Sequence, residues 1–155
     1  MTVTPQRRGR AIAMTPAEIN AFLASERTCR VASLSAQGLP HVTALWFVWD
    51  GKALWLNSLV RSRRWADLRT NPAVSILVDT GHDFAELRGV ELSGHAEPVG
   101  EVPRVGLAEP TLTEPEQLFA RKYAGLDAVP HDGRHAWLRI TPSRIVSWDY
   151  RKRAR

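Results

Sequence analysis

The cluster Asn57-Ser58 followed by Ser62-Arg63-Arg64 is the part of the sequence best suited to bind an anion. Ser62 has the side chain of a helix N-cap, so Arg63 and Arg64 fall in the first helical turn. Arginine is unfavourable there, because a helix N-terminus already carries about half a positive charge. Free backbone N–H groups and guanidinium groups at one helix end together favour a bound phosphate. The alternative is an exposed basic stretch without a ligand.

The elements that position this cluster are a strand before it and a short helix after it. The turn signal Asp50-Gly51 predicts a hairpin leading into a strand over 54–59, and Asn71-Pro72 ends a helix over 62–69. Capping boxes at Thr15–Glu18 and Thr113–Glu116 predict two further helices. Further strands are predicted over 29–35, 41–49, 74–79, 84–99, 135–140 and 144–150. Short connections favour antiparallel pairing, so the prediction is a mainly β fold, a small barrel of six to seven strands with peripheral helices.

The charge distribution predicts one domain between two basic tails. The 155 residues carry a net charge of +5, most of it near the two ends. We expect a flexible basic tail over 1–11, a single cofactor-binding domain over 12–150 and a basic tail over 151–155. A domain that binds nucleic acid carries its basic patch on folded elements, so a nucleic-acid-binding barrel is only a further alternative. The sequence lacks a secretory signal pattern and a bilayer-length apolar run, so we expect a cytoplasmic protein without membrane or nucleic-acid partners.

Motifs for side-chain catalysis and for metal binding are absent from the sequence. A single cysteine, Cys29, excludes a disulfide framework and a cysteine zinc cluster. The histidines have no metal-ligand spacing, and neither a G-x-S-x-G elbow nor a P-loop occurs. We therefore expect no metal and no catalytic nucleophile. Of the six tryptophans, Trp46 or Trp65 could line a pocket for a planar ring, or all could be core and interface residues.

Three stretches, in this order along the chain, resemble the pyridoxamine 5'-phosphate oxidase-like split-barrel family, which binds FMN or the deazaflavin F420. The first is the hairpin from Gly38 through Trp46 to Gly51. The second runs from Asn57-Ser58 through Ser62-Arg63-Arg64 to Asn71-Pro72. The third runs from Glu86 to Gly94-His95-Ala96-Glu97. The resemblance covers about residues 12–150 and implies a split β-barrel.

The resemblance also implies a cofactor site at the interface of a homodimer. The family's phosphate contacts fall on Ser58, Ser62, Arg63 and Arg64, with Asn57 beside them. The ring of the cofactor would lie, largely through backbone contacts, along Val42, Thr43, Ala44, Leu45 and Trp46. Arg88 and Trp148 would reach the cofactor of the partner subunit. Arg64 stands where many members have lysine, so its phosphate contact would differ in detail. No arginine occurs early in the strand that begins at His41, and the C-terminal arginine-rich substrate signature is not recognisable, so true pyridoxamine-phosphate oxidase activity is not expected.

The function that follows from the resemblance is an F420-dependent oxidoreductase, with FMN as the alternative cofactor. The cofactor would carry a hydride to or from a small organic substrate, while the protein binds and orients both. Three alternatives stay open: a protein that stores or carries the cofactor without turnover, a haem-handling relative, and the nucleic-acid-binding barrel.

Overall fold

The computed structural model describes residues 2–154. One antiparallel sheet of seven strands holds the fold together, in the order β2-β1-β5-β6-β7-β4-β3. The strands are β1 (Thr28–Leu34), β2 (Pro40–Trp46), β3 (Val48–Trp49), β4 (Leu54–Leu59), β5 (Ala73–Thr80), β6 (Arg88–Val99) and β7 (His135–Asp149). The helices are α1 (Pro16–Ser25), α2 (Arg63–Thr70) and α3 (Thr113–Ala124), with short 3₁₀ turns at Arg10–Ile12, Phe84–Glu86, Pro110–Leu112 and Tyr150–Ala154.

The sheet curls until its two ends meet without pairing. Strands β2 and β3 stand at opposite ends of the strand order, yet only Phe47 separates them in sequence. One residue spans less than 4 Å, so the two ends of the sheet must lie side by side. The result is a barrel split between β2 and the β3–β4 hairpin, and the predicted mainly β split barrel with peripheral helices is confirmed.

The core fills the inside of the curled sheet. Alternate residues of β4, Leu54 and Leu56, point inward and are fully buried, and Ile76, Leu92 and Leu138 meet them from neighbouring strands. Burying one such side chain contributes about 1.5–3 kcal/mol. A second apolar cluster, which includes Val48, Trp55, Leu112 and Trp137, lies on the opposite face of β4, under α3. Both faces of β4 are therefore covered, which fixes its register and the direction of its polar residues.

Three strand predictions differ from the structure at irregular positions. The predicted strand over 41–49 is interrupted at Phe47 and forms β2 and β3. Residues 135–149 form one continuous strand instead of two, because a register shift between Ser93 and Gly94 on β6 accommodates Pro142 within the ladder. A Cβ on Gly94 would lie 2.6 Å from the carbonyl oxygen of Thr141, so only glycine permits this approach. The predicted strand over 84–99 begins later, at Arg88, after a 3₁₀ turn over Phe84–Glu86.

Both terminal segments contact the barrel. The Thr4 backbone N–H donates to the carbonyl oxygen of Ser143, and the Gln6 side chain bonds the backbone of Ser147. Near the other end, Lys152 donates to Glu18 at 2.7 Å, which belongs to the capping box of α1. Within the described residues, no helix has the length and apolar character needed to cross a membrane.

Candidate functional site

The connection from β4 to α2 begins the candidate site. Ser62 caps α2, since its Oγ accepts a hydrogen bond from the Trp65 backbone N–H at 3.1 Å, as the sequence predicts. Trp65 and Leu68 anchor the helix in the core. Trp65 is therefore a core residue. Because α2 is held in this way, the side chain of Arg64 is directed inward and is only 8% exposed.

Arg64 joins the two sides of the split barrel. Its Nε and Nη2 donate to Ser58 Oγ on β4, at 3.3 and 3.0 Å. Its Nη1 donates to Thr43 Oγ1 on β2, at 2.7 Å. Since β2 and β4 do not pair with each other, the guanidinium group is a side-chain connection between them.

Arg64 is a buried cation without an acidic partner. No carboxylate oxygen of the described residues lies within 4.0 Å of its nitrogens, and burial lowers the pKa of Arg64. The nearby thiol of Cys29 does not serve as a counter-ion, because burial raises the pKa of Cys29 to about 12 and keeps it protonated. A buried charge costs several kcal/mol unless an opposite charge offsets it. The site around Arg64 therefore favours a bound anion.

The neighbouring residues of α2 divide between two environments. Arg63 has a side chain 56% exposed, and its nearest carboxylate is Asp67, 4.0 Å from its Nε. Asp67 is buried and accepts a hydrogen bond from Ser33 Oγ at 3.1 Å, with His41 Nδ1 at 3.5 Å. The structure thus brings Thr43, Ser58 and Arg64 together, while Arg63 lies on the outside of the same helical turn.

Strand β2 presents an exposed outer face beside this site. Its residues alternate, so Leu45 packs on the core while Val42, Ala44 and Trp46 point outward. Val42 is 64% exposed and Trp46 is 48% exposed. Trp46 also stacks on Tyr123 of α3, with ring centroids 4.3 Å apart and 10° between the planes. The outer face of β2 is therefore an open, largely apolar surface.

Asn57 and Ser58 point to opposite faces of β4, so the structure separates these two predicted neighbours. Ser58 faces Arg64, whereas Asn57 lines a cavity of about 360 Å³ on the outer face, together with Trp46. The other residues that line this cavity are Arg104, Glu116, Phe119, Val129, Pro130, His131, Asp132, His135 and Trp137. The candidate site therefore has two compartments, one on each side of β4.

A network of ion pairs and hydrogen bonds holds the wall of the outer cavity. Arg104 donates to Glu116 at 2.7 Å and to Glu101 at 2.8 Å. Glu116 Oε1 also accepts from Trp137 Nε1 at 3.2 Å and lies 3.1 Å from His131 Nε2. Burial opposes ionisation of Glu116, but the hydrogen bonds from Arg104 and His131 outweigh it and lower the pKa of Glu116. The wall is therefore cross-linked by several polar contacts and carries an ionised carboxylate.

Arg88 and Trp148 lie together at the opposite end of the β6–β7 pair from β4. The guanidinium carbon of Arg88 is 5.4 Å from the centre of the Phe22 ring. Trp148 packs on Gly89, where an added Cβ would lie 2.2 Å from the indole. Within residues 2–154, their contacts do not join them to Arg64.

Comparison with known proteins assigns the chain to a family. Residues 15–149 match the family described as pyridoxamine 5'-phosphate oxidase. The chain belongs to this family. The resemblance predicted from three sequence stretches is thus confirmed, and no curated protein matches the sequence.

Solved structures of similar fold have diverse descriptions. A conserved hypothetical protein from Mycobacterium tuberculosis is 32% identical, covers 98% of this chain and 94% of that chain, and gives a TM-score of 0.78. A protein described as an F420 reductase is 23% identical over 81% of this chain and 94% of that chain, with a TM-score of 0.61. The heme storage protein HutZ from Vibrio cholerae is 18% identical over 84% and 93%, with a TM-score of 0.66. The last two likenesses support the fold alone.

This member of the pyridoxamine 5'-phosphate oxidase family has candidate residues that sequence reasoning missed. The sequence predicts a capping box between Thr113 and Glu116. In the structure, however, Leu112 occupies the N-cap position of α3, and the Glu116 carboxylate accepts a hydrogen bond from Arg104. The two histidines of the outer cavity have no motif spacing: His131 precedes β7 and His135 is its first residue. No local pattern connects these segments, so only the tertiary structure reveals the cavity.

Proposed function

We propose that this protein is an oxidoreductase that uses F420, or alternatively FMN, to transfer a hydride to or from a small organic substrate. The observation that carries the proposal is Arg64, a buried guanidinium group held only by hydroxyl groups. A phosphate is the group that both cofactors share, and it would supply the missing negative charge. Arginine pairs with phosphate through two parallel N–H donors, which makes this contact strong as well as directional.

The donors around the proposed phosphate position fit such a group. Ser58 and Thr43 orient the guanidinium plane, so its geometry is fixed before a ligand arrives. The N-terminus of α2 lies directly before Arg64 in the chain and adds the partial positive charge of its free N–H groups. Arg63 is exposed at the same turn and provides a second cation that can approach from solvent.

The exposed cations beyond this turn support F420 over FMN. A second cavity, of about 390 Å³, is lined by Arg61 and Arg134 together with Ser62. F420 carries an anionic tail, whereas FMN ends at its single phosphate. A tail that leaves the Arg64 site through this cavity would pass two more arginines, so we assign F420 as the preferred cofactor.

In this reaction the protein binds the cofactor and the substrate, orients them and shields them from water. When bound, the cofactor supplies the hydride chemistry, so no side-chain nucleophile is needed. The outer face of β2, formed by Val42, Ala44 and Trp46, offers an apolar surface for the cofactor ring. We further propose a homodimer with the cofactor at its interface. The exposed Val42 supports this, as does Arg88, whose buried Nε has no hydrogen-bond partner in the described part of the chain.

The test is a titration of the purified protein with FMN and with F420 in parallel, followed by fluorescence. The variants are Arg64→Ala, Arg64→Lys and, as a matched control, Arg121→Ala, which removes an exposed arginine of α3. We expect saturable binding, with F420 tighter than FMN. It should be weakened at least about 30-fold in Arg64→Ala, which loses a charge-assisted bidentate contact, and unchanged in the control.

The outcomes of this titration separate the candidate functions. Binding followed by turnover with a reductant and acceptor supports the oxidoreductase. Tight binding without turnover for any pair would instead indicate a cofactor carrier. Absence of binding to both compounds would refute the proposal.

A further inference from the structure

The outer cavity is separate from the proposed phosphate position. It lies on the face of β4 opposite Ser58 and encloses about 360 Å³, a size typical of small-molecule sites. Asn57 belongs to this face, so the backbone of one strand separates the cavity from Arg64. A ligand in the cavity and a ligand at Arg64 could therefore occupy the protein together.

Three aromatic side chains form one continuous wall of the cavity. Phe119 meets Trp137 edge to face, with centroids 5.7 Å apart at 88°, and meets Trp46 at 6.2 Å. Aromatic rings of this kind bind planar rings by stacking and edge contacts, which contribute beyond simple area burial. The wall therefore favours a planar aromatic ligand over an aliphatic one.

The charged groups of the cavity disfavour an anion. Arg104 is the cation of the lining, and it is already neutralised by Glu101 and Glu116. Asp132 adds a further carboxylate, which is held 2.5 Å from His135 Nδ1. Burial opposes its ionisation, but hydrogen bonds from the Arg134 backbone and from His135 lower the pKa of Asp132 to about 2. Beside its histidines, the lining holds two carboxylates, Glu116 and Asp132, against one guanidinium group, that of Arg104. On the other face of β4, no carboxylate of the described residues pairs with Arg64.

The cavity also contains polar groups without partners. The carboxamide of Asn57 makes no hydrogen bond within the described residues, although it is half-buried. His135 uses Nδ1 for Asp132, which leaves its Nε2 available. Half-buried donors and acceptors of this kind are satisfied by water or by a ligand. They give the cavity two positions that can bond the polar edge of a heterocycle.

We propose that this cavity binds a planar heteroaromatic molecule that is neutral or cationic, and that it discriminates against anions. The proposal rests on the proposed function in one respect: in a cofactor-dependent oxidoreductase, this molecule would be the substrate that exchanges a hydride with the cofactor. The position of Trp46 on both the cavity wall and the outer face of β2 supports this assignment, because a molecule in the cavity would then lie beside the cofactor ring.

The test uses three probes with one bicyclic ring and different charges: quinoline, N-methylquinolinium and quinoline-2-carboxylate. Binding is followed by ¹H–¹⁵N spectra of the indole groups, assigned with Trp→Phe variants. We expect saturable shifts of Trp46 and Trp137 but not of Trp65 or Trp148. The carboxylate should bind about tenfold more weakly than the other two probes, because of like-charge repulsion at short range.

Variants locate the source of the discrimination. Glu116→Gln and Asp132→Asn each keep the side-chain shape and remove one charge, so each should reduce the discrimination against the carboxylate at least threefold. Asp127→Asn removes a carboxylate that is almost fully exposed, pairs with Arg121 and does not line the cavity, so it should leave the discrimination unchanged. Asn57→Leu should weaken the binding of all three probes, since it removes the carboxamide that could bond the polar edge of their rings.

Two results would overturn the proposal: absence of saturable shifts at Trp46 and Trp137, or equal affinity for the three probes. Arg64→Ala separates this proposal from the proposed function. This variant should leave probe binding intact while it weakens the binding of FMN and F420. The two measurements are therefore independent: probe binding can be absent while cofactor binding is present, and cofactor binding can be absent while probe binding is present.

Discussion

The buried Arg64 leads to a sharp prediction about stability without ligand. An uncompensated buried cation costs several kcal/mol, and even a buried ion pair can often be replaced by apolar groups with no loss of stability or with a gain of about 1–4 kcal/mol. Within the described residues, this cost is offset only by the hydrogen bonds from Arg64 to Ser58 and Thr43. We expect the double variant Arg64→Met/Ser58→Ala to be at least as stable as the wild type, with a gain of up to about 2 kcal/mol.

Ser58→Ala should change the free energy of unfolding in opposite directions in the wild-type and Arg64→Met backgrounds. In Arg64→Met, the fully buried Ser58 hydroxyl loses its partner, which costs about 1–3 kcal/mol. Adding Ser58→Ala should then raise the free energy of unfolding. In the wild-type background, Ser58→Ala instead deprives Arg64 of an acceptor and should lower it. This sign reversal would show that Arg64 and Ser58 are coupled in the folded protein.

Urea unfolding of the four proteins measures this cycle, with and without F420 or FMN. At a ligand concentration about 100 times the wild-type Kd, the wild type should gain about 2.7 kcal/mol, whereas a variant with about 30-fold weaker binding should gain less than about 1 kcal/mol. Arg69→Met, which removes an exposed arginine from the end of α2, serves as the control and should change stability by less than about 0.5 kcal/mol. A double variant that loses more than about 2 kcal/mol would show that the guanidinium group is structural, and would refute the reasoning.

Three further predictions follow from other parts of the structure. Gly94→Ala should destabilise the fold by about 1–3 kcal/mol in urea unfolding, because its Cβ would meet the Thr141 carbonyl at 2.6 Å; a neutral effect would contradict the bulge geometry. Burial lowers the pKa of Lys122 to about 8, so the folded protein releases this proton before the unfolded chain does. Its contribution to stability should therefore rise as the pH increases from about 8 to 10, and the difference between wild type and Lys122→Met should change with pH in that sense. Cys29 is fully buried, and burial raises its pKa to about 12, so at pH 9 a thiol reagent should react with the native protein only at the rate of unfolding; fast labelling would contradict its position.

The proposed dimer has its own measurement. Sedimentation velocity should give twice the 17.3 kDa chain mass, and Val42→Glu, on the exposed face of β2, should shift the protein toward monomer and weaken cofactor binding together. A monomer with full cofactor affinity would refute the interfacial site.

Much of the fold was predictable because its signals are local. The turn at Asp50-Gly51, the capping box at Thr15 and the N-cap at Ser62 are each decided by neighbouring residues, and the structure confirms all three. The continuous strand β7 was not predictable. A proline within a strand normally argues against pairing, and only the bulge opposite Gly94 makes Pro142 acceptable there.

The candidate site was predictable only where its residues are close in sequence. Ser58, Ser62 and Arg64 belong to one strand-to-helix connection, so their grouping could be inferred from a short segment. Which of the two arginines is buried depends on how α2 packs on the core, which the segment alone does not determine. The outer cavity collects residues from β2, β4, α3 and β7 and the segments before them, so its composition follows only from the tertiary structure.

The most direct test of the central claim compares two ligands that differ only by a phosphate. FMN and riboflavin share the same ring, so the ratio of their affinities isolates the contribution of the phosphate group. We predict that the wild type binds FMN about 100-fold more tightly than riboflavin, as expected for about 2.7 kcal/mol of interaction. In Arg64→Met the two affinities should become nearly equal. A wild type with equal affinity for both ligands, or a ratio that survives Arg64→Met, would contradict the assignment of Arg64 as the phosphate-binding residue.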